Sequence, residues 1–213
     1  INRAIPRTQS ALLEAMEERQ ISIDGEQFPL PAPFLVLATQ NPVESESTFR
    51  LPAAQMDRFL IRISMGYPSP EEERQMLHNL GDEIPFGQVR PVTNAQELVE
   101  AQRQIGQVHL SDTVADYIVA LAAATRNHPQ LKMGASPRAT RGLYRAAKVW
   151  AAMEGRDFVT PDDVKTLAAP VLEHRLVLDS GARFSGASVS AILADALDRL
   201  QGSPELEAAA HEK

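Results

Sequence analysis

The fold class follows from Leu35-Val36-Leu37-Ala38-Thr39-Gln40-Asn41-Pro42, an apolar run that ends in polar residues. The apolar part predicts a strand over residues 34–39, buried on both faces. Pro42 cannot donate a hydrogen bond to a sheet, so we expect the strand to end before it. Ligands of open parallel sheets bind just beyond the carboxyl ends of the strands, which makes Asn41 a candidate ligand contact. A plain Asn-Pro turn is the alternative.

The residues on both sides of this run complete an α/β pattern. An apolar stripe predicts a helix over residues 6–19, and alternation around Asp24-Gly25 predicts a hairpin over 21–28. A short helix is expected within residues 53–58, and a second strand over 60–65. Residues 1–66 therefore read as part of an α/β layered domain.

From residue 67 onwards the sequence changes to helical periodicity. Residues 67–93 are expected to form a linker and a first helix, and residues 94–202 an all-α domain. Ser136-Pro137 and Thr160-Pro161 are signals for helix starts, because each pairs a capping hydroxyl with a proline at the first helical position. The Ala- and Glu-rich residues 203–213 are expected to form a flexible tail.

Composition limits the classes of function. The formal net charge of −7 argues against nucleic acid as the main partner. The chain has no cysteine, which removes disulfides and thiol chemistry and suits the cytoplasm. No apolar run reaches membrane-spanning length, so we expect no membrane insertion.

Two arginines are candidate phosphate contacts. Arg138 falls in the first turn of the helix that Ser136-Pro137 opens, where a cation opposes the helix dipole at a cost of about 0.3–1 kcal/mol. An anion bound there would gain from the free amides and from the guanidinium. Arg58 lies between a short helix and a strand; either it makes a surface pair with Asp57, or it is presented to the phosphate of a neighbouring subunit.

Other catalytic signatures are missing from the sequence. The five histidines are far apart and show no metal-ligand spacing, so we predict no metal site among them. No GxxxxGK[ST] loop, the usual phosphate cradle, occurs anywhere in the chain.

Four segments, in this order and spacing, resemble the MoxR-type AAA+ ATPases. Ile1-Asn2-Arg3-Ala4 with the later Gln9-Ser10-Ala11-Leu12-Leu13-Glu14-Ala15-Met16-Glu17-Glu18 resembles the segment after the acidic Walker B strand. Ala38-Thr39-Gln40-Asn41-Pro42 resembles sensor 1, and Leu51-Pro52-Ala53-Ala54-Gln55-Met56-Asp57-Arg58-Phe59 resembles the arginine-finger segment. Gly134-Ala135-Ser136-Pro137-Arg138-Ala139 resembles sensor 2, at the start of a lid helix.

This resemblance implies roles for single residues. Asn41 would orient the water that attacks the γ-phosphate of ATP, and Arg58 would act in trans on a neighbour's nucleotide, which requires a ring that is typically hexameric. Arg138 would touch the nucleotide from the lid. The hairpin resembles one that points towards the ring's pore, which makes Ile23, Asp24 and Gly25 candidates for partner contact, unless it is an ordinary sheet-edge hairpin.

The resemblance also implies cofactors and partners. ATP and Mg²⁺ are expected, with the P-loop and the Mg²⁺ ligands upstream of Ile1, so we expect no ATPase activity from this chain alone. Family members act as ATP-driven chaperones that remodel or activate partners, often with a von Willebrand factor A-domain protein. A magnesium-chelatase-like motor subunit and a non-hydrolysing helical interaction module are the alternatives.

Overall fold

The computed structural model describes residues 1–41, 49, 51–79, 87 and 89–201. Its first part holds one long helix, a hairpin and a short helix. Helix α1 spans Pro6–Glu18, as predicted, and the hairpin strands β1 and β2 span Gln20–Ile23 and Glu26–Pro29. Helix α2 is a single turn, Ala53–Met56.

The turn of the hairpin follows the Asp-Gly signal. Ile23 pairs with Glu26 across a two-residue loop, and both loop residues have positive φ, 52° at Asp24 and 87° at Gly25. This is the backbone that a two-residue hairpin of the favoured twist requires, and Asp and Gly are among the residues that adopt it most readily. The predicted hairpin is confirmed.

The two predicted parallel strands are not formed in the described part of the chain. Residues 34–39 and 60–65 belong to no sheet, and most of their apolar side chains are exposed, with Leu37 88% and Met65 90% exposed. Apolar periodicity favours a strand, but a strand also needs neighbours that accept and donate its backbone hydrogen bonds. The predictions of a buried strand over residues 34–39 and of a second strand over 60–65 were therefore wrong for this structure.

The second part is helical, as predicted, and contains one small sheet. The helices are α3 Pro70–Asn79, α4 Ala95–Ile105, α5 Asp112–Arg126, α6 Pro137–Met153, α7 Pro161–Leu172, α8 Ser180–Phe184 and α9 Val189–Gln201. A 3-10 turn, Glu173–Arg175, follows α7 directly. Strands β3, Leu131–Met133, and β4, Val177–Leu178, pair antiparallel.

Helix caps set the main boundaries. Ser136 accepts from the amide of Ala139 at the start of α6, and Thr160 shares a capping box with Asp163 at the start of α7. Both helices have proline in the first turn, so the predicted start signals are confirmed. At the start of helix α4, Asn94 makes a capping box with Glu97.

One hydrophobic core holds the helical part together. It is built from α5, α6, α7 and α9, and its least exposed large side chains are Leu121, Leu143, Val164 and Leu193. These residues belong to the stretch that shows helical periodicity, so its periodic apolar positions form the core of the bundle.

Two further predictions concern membrane insertion and the C-terminal tail. No helix among the described residues is long and apolar enough to cross a membrane. The predicted tail, 203–213, lies outside the described residues.

Candidate functional site

One carboxylate, Glu17, joins the two candidate arginines. Glu17 lies in the last turn of α1, and its Oε1 accepts from Arg138 Nη2 at 2.5 Å. Its Oε2 makes an ion pair with Arg58 Nη1. The structure therefore brings Arg58 and Arg138 to the same anionic group, although 80 residues separate them in the chain (138 − 58).

The backbone explains why both guanidiniums reach this point. Arg58 follows α2, and its Nη1 also donates to the carbonyl of Leu13 at 2.9 Å, one turn before Glu17 in α1. Arg138 stands in the first turn of α6, where the helix dipole disfavours a cation. The Glu17 carboxylate compensates for that mismatch.

The three side chains remain partly exposed, with 30% for Arg58, 38% for Glu17 and 44% for Arg138. Ion pairs at such exposure contribute about 0–1 kcal/mol, because water competes for both partners. Phosphate and carboxylate oxygens both form charge-assisted bonds to guanidinium, so a phosphate group could replace Glu17 at small cost. The guanidiniums of Arg58 and Arg138 are therefore held together by a carboxylate that binds them only weakly.

The Asp57 carboxylate is a second anionic group, and it lies close to Arg138. Its carboxylate accepts from Ser136 Oγ at 2.8 and 3.0 Å and makes an ion pair with Arg175 Nε at 3.0 Å. Arg138 Nη1 lies 3.6 Å from Asp57 Oδ2. The sequence suggested a surface pair between Asp57 and Arg58, but Asp57 instead binds the capping residue of α6 and two other arginines.

A shallow cleft of about 290 Å³ opens beside Arg58 and is lined also by Ser10, Leu13, Glu14, Glu17, Glu18 and Gln55. Three carboxylates against one guanidinium make the cleft negative, so its interior does not suit a triphosphate. An anion would therefore have to meet Arg58 from outside the cleft.

Asn41 is held by a different contact. The side chain of Asn2, only 6% exposed, donates to the Asn41 carbonyl at 2.9 Å and accepts from the Asn41 amide at 3.2 Å. This reciprocal pair fixes the backbone at the end of the extended segment 34–41. Asn2 was not singled out from the sequence, since nothing local marks a partner 39 residues away.

The candidate partner residues lie at the hairpin tip. Ile23 is 52% exposed, and a Cβ at Gly25 would meet no atom within 4 Å. The tip therefore has open space around it, as a contact surface would need, although an unpaired hairpin would look the same.

The fit to the expected cofactors differs between nucleotide and metal. Two guanidiniums that already share an anion fit a phosphate group. In contrast, the described residues contain no group of three or more acidic or histidine side chains that could hold a metal ion. No Mg²⁺ site is therefore assigned to these residues.

The chain is similar to known proteins over most of its length. Residues 1–61 match the profile of the AAA family, "ATPase family associated with various cellular activities", and residues 123–196 match that of the AAA lid domain. The chain is 46% identical over 187 residues to Chaperone MoxR1 of Mycobacterium tuberculosis. It belongs to the MoxR family of AAA+ ATPases.

Further relatives support the same family. An uncharacterized Bacillus subtilis protein, YeaC, is 42% identical over 94% of this chain, and a candidate ATPase from Cytophaga hutchinsonii matches 92% of it with a TM-score of 0.86 and 38% identity. The match to MoxR1 covers 84% of this chain. It spans 63% of YeaC, 49% of MoxR1 and 62% of the Cytophaga protein.

Proposed function

We propose that this chain is the sensor and lid portion of a MoxR-type ATPase that works as an ATP-driven chaperone on partner proteins. The observation that carries the proposal is the Glu17 carboxylate shared by Arg58 and Arg138. The name of the MoxR1 relative favours a chaperone over a magnesium-chelatase-like motor. Ring assembly, with six subunits, and a von Willebrand factor A-domain partner in the cytoplasm are parts of the same proposal.

The geometry favours a joint role for the two arginines. The resemblance implied that Arg138 touches the nucleotide from the lid, while Arg58 acts in trans on the nucleotide of a neighbour. Because both side chains meet one carboxylate, we propose that they act together on the terminal phosphate held by the neighbouring subunit. ATP supplies the phosphoryl group for transfer to water, and Asn41 orients that water from the other side of the subunit interface.

The residues of this chain then have distinct tasks. Arg58 and Arg138 neutralise negative charge on the phosphate, as guanidiniums do in phosphoryl transfer. Glu17 keeps the two cations together until a phosphate replaces it, because two neighbouring guanidiniums without a counter-ion would repel each other.

The test uses the native protein that contains this chain, with ATP turnover and binding of a fluorescent nucleotide measured in parallel. Arg58→Ala and Arg138→Ala are each expected to lower kcat by about 10³-fold or more while nucleotide binding persists. Arg74→Ala is the control, because Arg74 is an exposed arginine paired with Glu71 of its own helix. Unchanged turnover in either of the first two variants would remove that arginine from its proposed role.

Two further outcomes bear on the alternatives. The 213-residue chain by itself is expected to show no turnover, and hydrolysis by the purified chain would contradict that expectation. If the native protein neither binds nor hydrolyses ATP, the non-hydrolysing interaction module becomes the better explanation.

A further inference from the structure

Arg175 is a buried charge that the proposed reaction does not yet use. It lies in the 3-10 turn after α7, and its side chain is only 2% exposed. Burial lowers the pKa of Arg175, and the nearby Asp57 carboxylate opposes that change. A guanidinium removed from water must find partners for its donors, because an unpaired buried charge is strongly unfavourable.

The donors of Arg175 go mainly to the backbone around Arg58. Nη2 donates to the carbonyls of Phe59 at 2.6 Å and Asp57 at 3.2 Å, and Nη1 donates to the carbonyl of Leu60 at 3.2 Å. Nη1 also donates to the carbonyl of Val171, in α7. Arg175 therefore connects the backbone on both sides of Arg58 to the end of α7.

The same short piece of backbone has other bonds to the helical part. We call residues 57–62 the finger segment. His174 Nε2 bonds to the Phe59 carbonyl at 3.0 Å, and the Arg62 amide donates to the Pro170 carbonyl at 2.9 Å. The Pro170 carbonyl belongs to the last turn of α7, where backbone acceptors lack partners within the helix.

Contacts of the finger segment with α1 are different in kind. They are made by the Arg58 side chain, which reaches the Leu13 carbonyl and the Glu17 carboxylate. The backbone is thus bound to the helical part, while one side chain extends from it to α1. A movement of α7 and α6 relative to α1 would carry the finger segment with it.

We propose that Arg175 is the positioning residue that fixes Arg58 to the lid, so that Arg58 and Arg138 move as one body. This inference rests on the proposed function, because it assigns Arg175 a role in placing the two phosphate-binding arginines. Arg175 acts through the backbone at residues 57, 59 and 60 and touches no reacting atom. As a consequence of this attachment, the position of the lid determines the positions of both guanidiniums.

The first test measures the finger segment directly, without ATP. In Arg175→Lys, a single ammonium replaces a planar group with several donors, so most bonds to the finger segment are lost. We expect amide exchange at residues 58–62 to become at least about tenfold faster, while exchange in α6 stays as in the wild type. Trypsin is also expected to cut faster after Arg58 and Arg62.

The control is Arg199→Lys, since Arg199 is 76% exposed in α9 and paired with Asp195. It should leave both measurements unchanged. If Arg175→Lys leaves exchange and cleavage in the finger segment as in the wild type, the inference is overturned.

A second measurement serves if Arg175→Lys does not fold. In the wild-type protein, the amide of Arg62 should open with the free energy of α7 rather than with that of α1, as hydrogen exchange over a denaturant series would show. Opening together with α1 would contradict the proposed attachment to the lid.

Activity separates failure of this inference from failure of the proposed function. In the native protein, Arg175→Lys should lower kcat with nucleotide binding retained, and in an Arg58→Ala background it should cause no further loss. A full additional loss in the double variant would indicate a general structural role and overturn the inference. A native protein without ATPase activity would instead reject the proposed function, while the exchange results would still stand.

Discussion

Acid should weaken the contact between the lid and the finger segment through His174. This side chain is 7% exposed, and its Nε2 bonds to the Phe59 carbonyl at 3.0 Å. A carbonyl only accepts, so the ring carries a hydrogen on Nε2. The pKa of His174 is lowered from 6.5 to about 4, mainly by burial and also by the nearby Arg175 and Arg62, while the bond to the Phe59 carbonyl opposes the change.

The size and direction of the loss of stability follow from the difference between the pKa of His174 in the unfolded chain and in the folded chain. The unfolded chain takes up a proton near pH 6.5 and the folded chain only near about 4. Between these values the unfolded state binds more protons, so stability is complete above pH 6.5 and falls as the pH drops. We expect this histidine alone to cost about 2 kcal/mol at pH 5 and about 3 kcal/mol at pH 4.

The assay is chemical denaturation at pH 7.5, 5 and 4, followed by Trp150, the single tryptophan, which lies in α6. His174→Gln cannot take up a proton in this range, so its free energy of unfolding should fall about 2 kcal/mol less than that of the wild type between pH 7.5 and 5. His78→Gln, at an exposed position in α3, is the matched control and should follow the wild type. The same pH dependence in wild type and His174→Gln would refute the reasoning.

Two further pairs of variants test the packing of the lid. Asp163→Ala removes a 4% exposed carboxylate that accepts two bonds from a guanidinium, at 2.6 and 2.8 Å, and should lower the free energy of unfolding by about 2–4 kcal/mol. Asp162→Ala, 82% exposed, should cost about 1 kcal/mol or less, and equal losses would contradict the difference in burial. Gly134→Ala would put a Cβ 2.5 Å from backbone atoms of α5, so it should lower the thermal midpoint sharply or prevent folding. Gly142→Ala meets only ordinary contacts from 3.4 Å outward and should fold; a stable Gly134→Ala or an unfolded Gly142→Ala would contradict the packing.

Local signals in the sequence predicted most of the helical part. Ser136-Pro137 and Thr160-Pro161 gave the starts of α6 and α7, because caps depend on residues three positions apart. The Asp24-Gly25 turn could be predicted equally well, since the positive φ values that it requires restrict the residue types. Periodic apolar positions then identified the core of the bundle.

The strands and the inner contacts of the site could not be read in the same way. Residues 34–39 have the pattern of a strand, but a pattern does not supply the neighbouring strand. Glu17 looked like one of several acids on the wet side of a helix, and its contact with Arg138 spans 121 residues. Arg175 carried no local signal, because most of its acceptors are backbone carbonyls more than 110 residues away.

The joint action of Arg58 and Arg138 is tested most directly by mixing two inactive variants of the native protein, Arg58→Ala and Arg138→Ala, into common rings. If both arginines of one subunit serve the same neighbouring nucleotide, every interface in the mixture lacks one of them, and ATP turnover should stay as low as in either variant alone. If instead Arg138 served its own subunit's nucleotide, about a quarter of the interfaces would hold both intact arginines. Recovery of turnover to about that fraction of wild type would contradict the account.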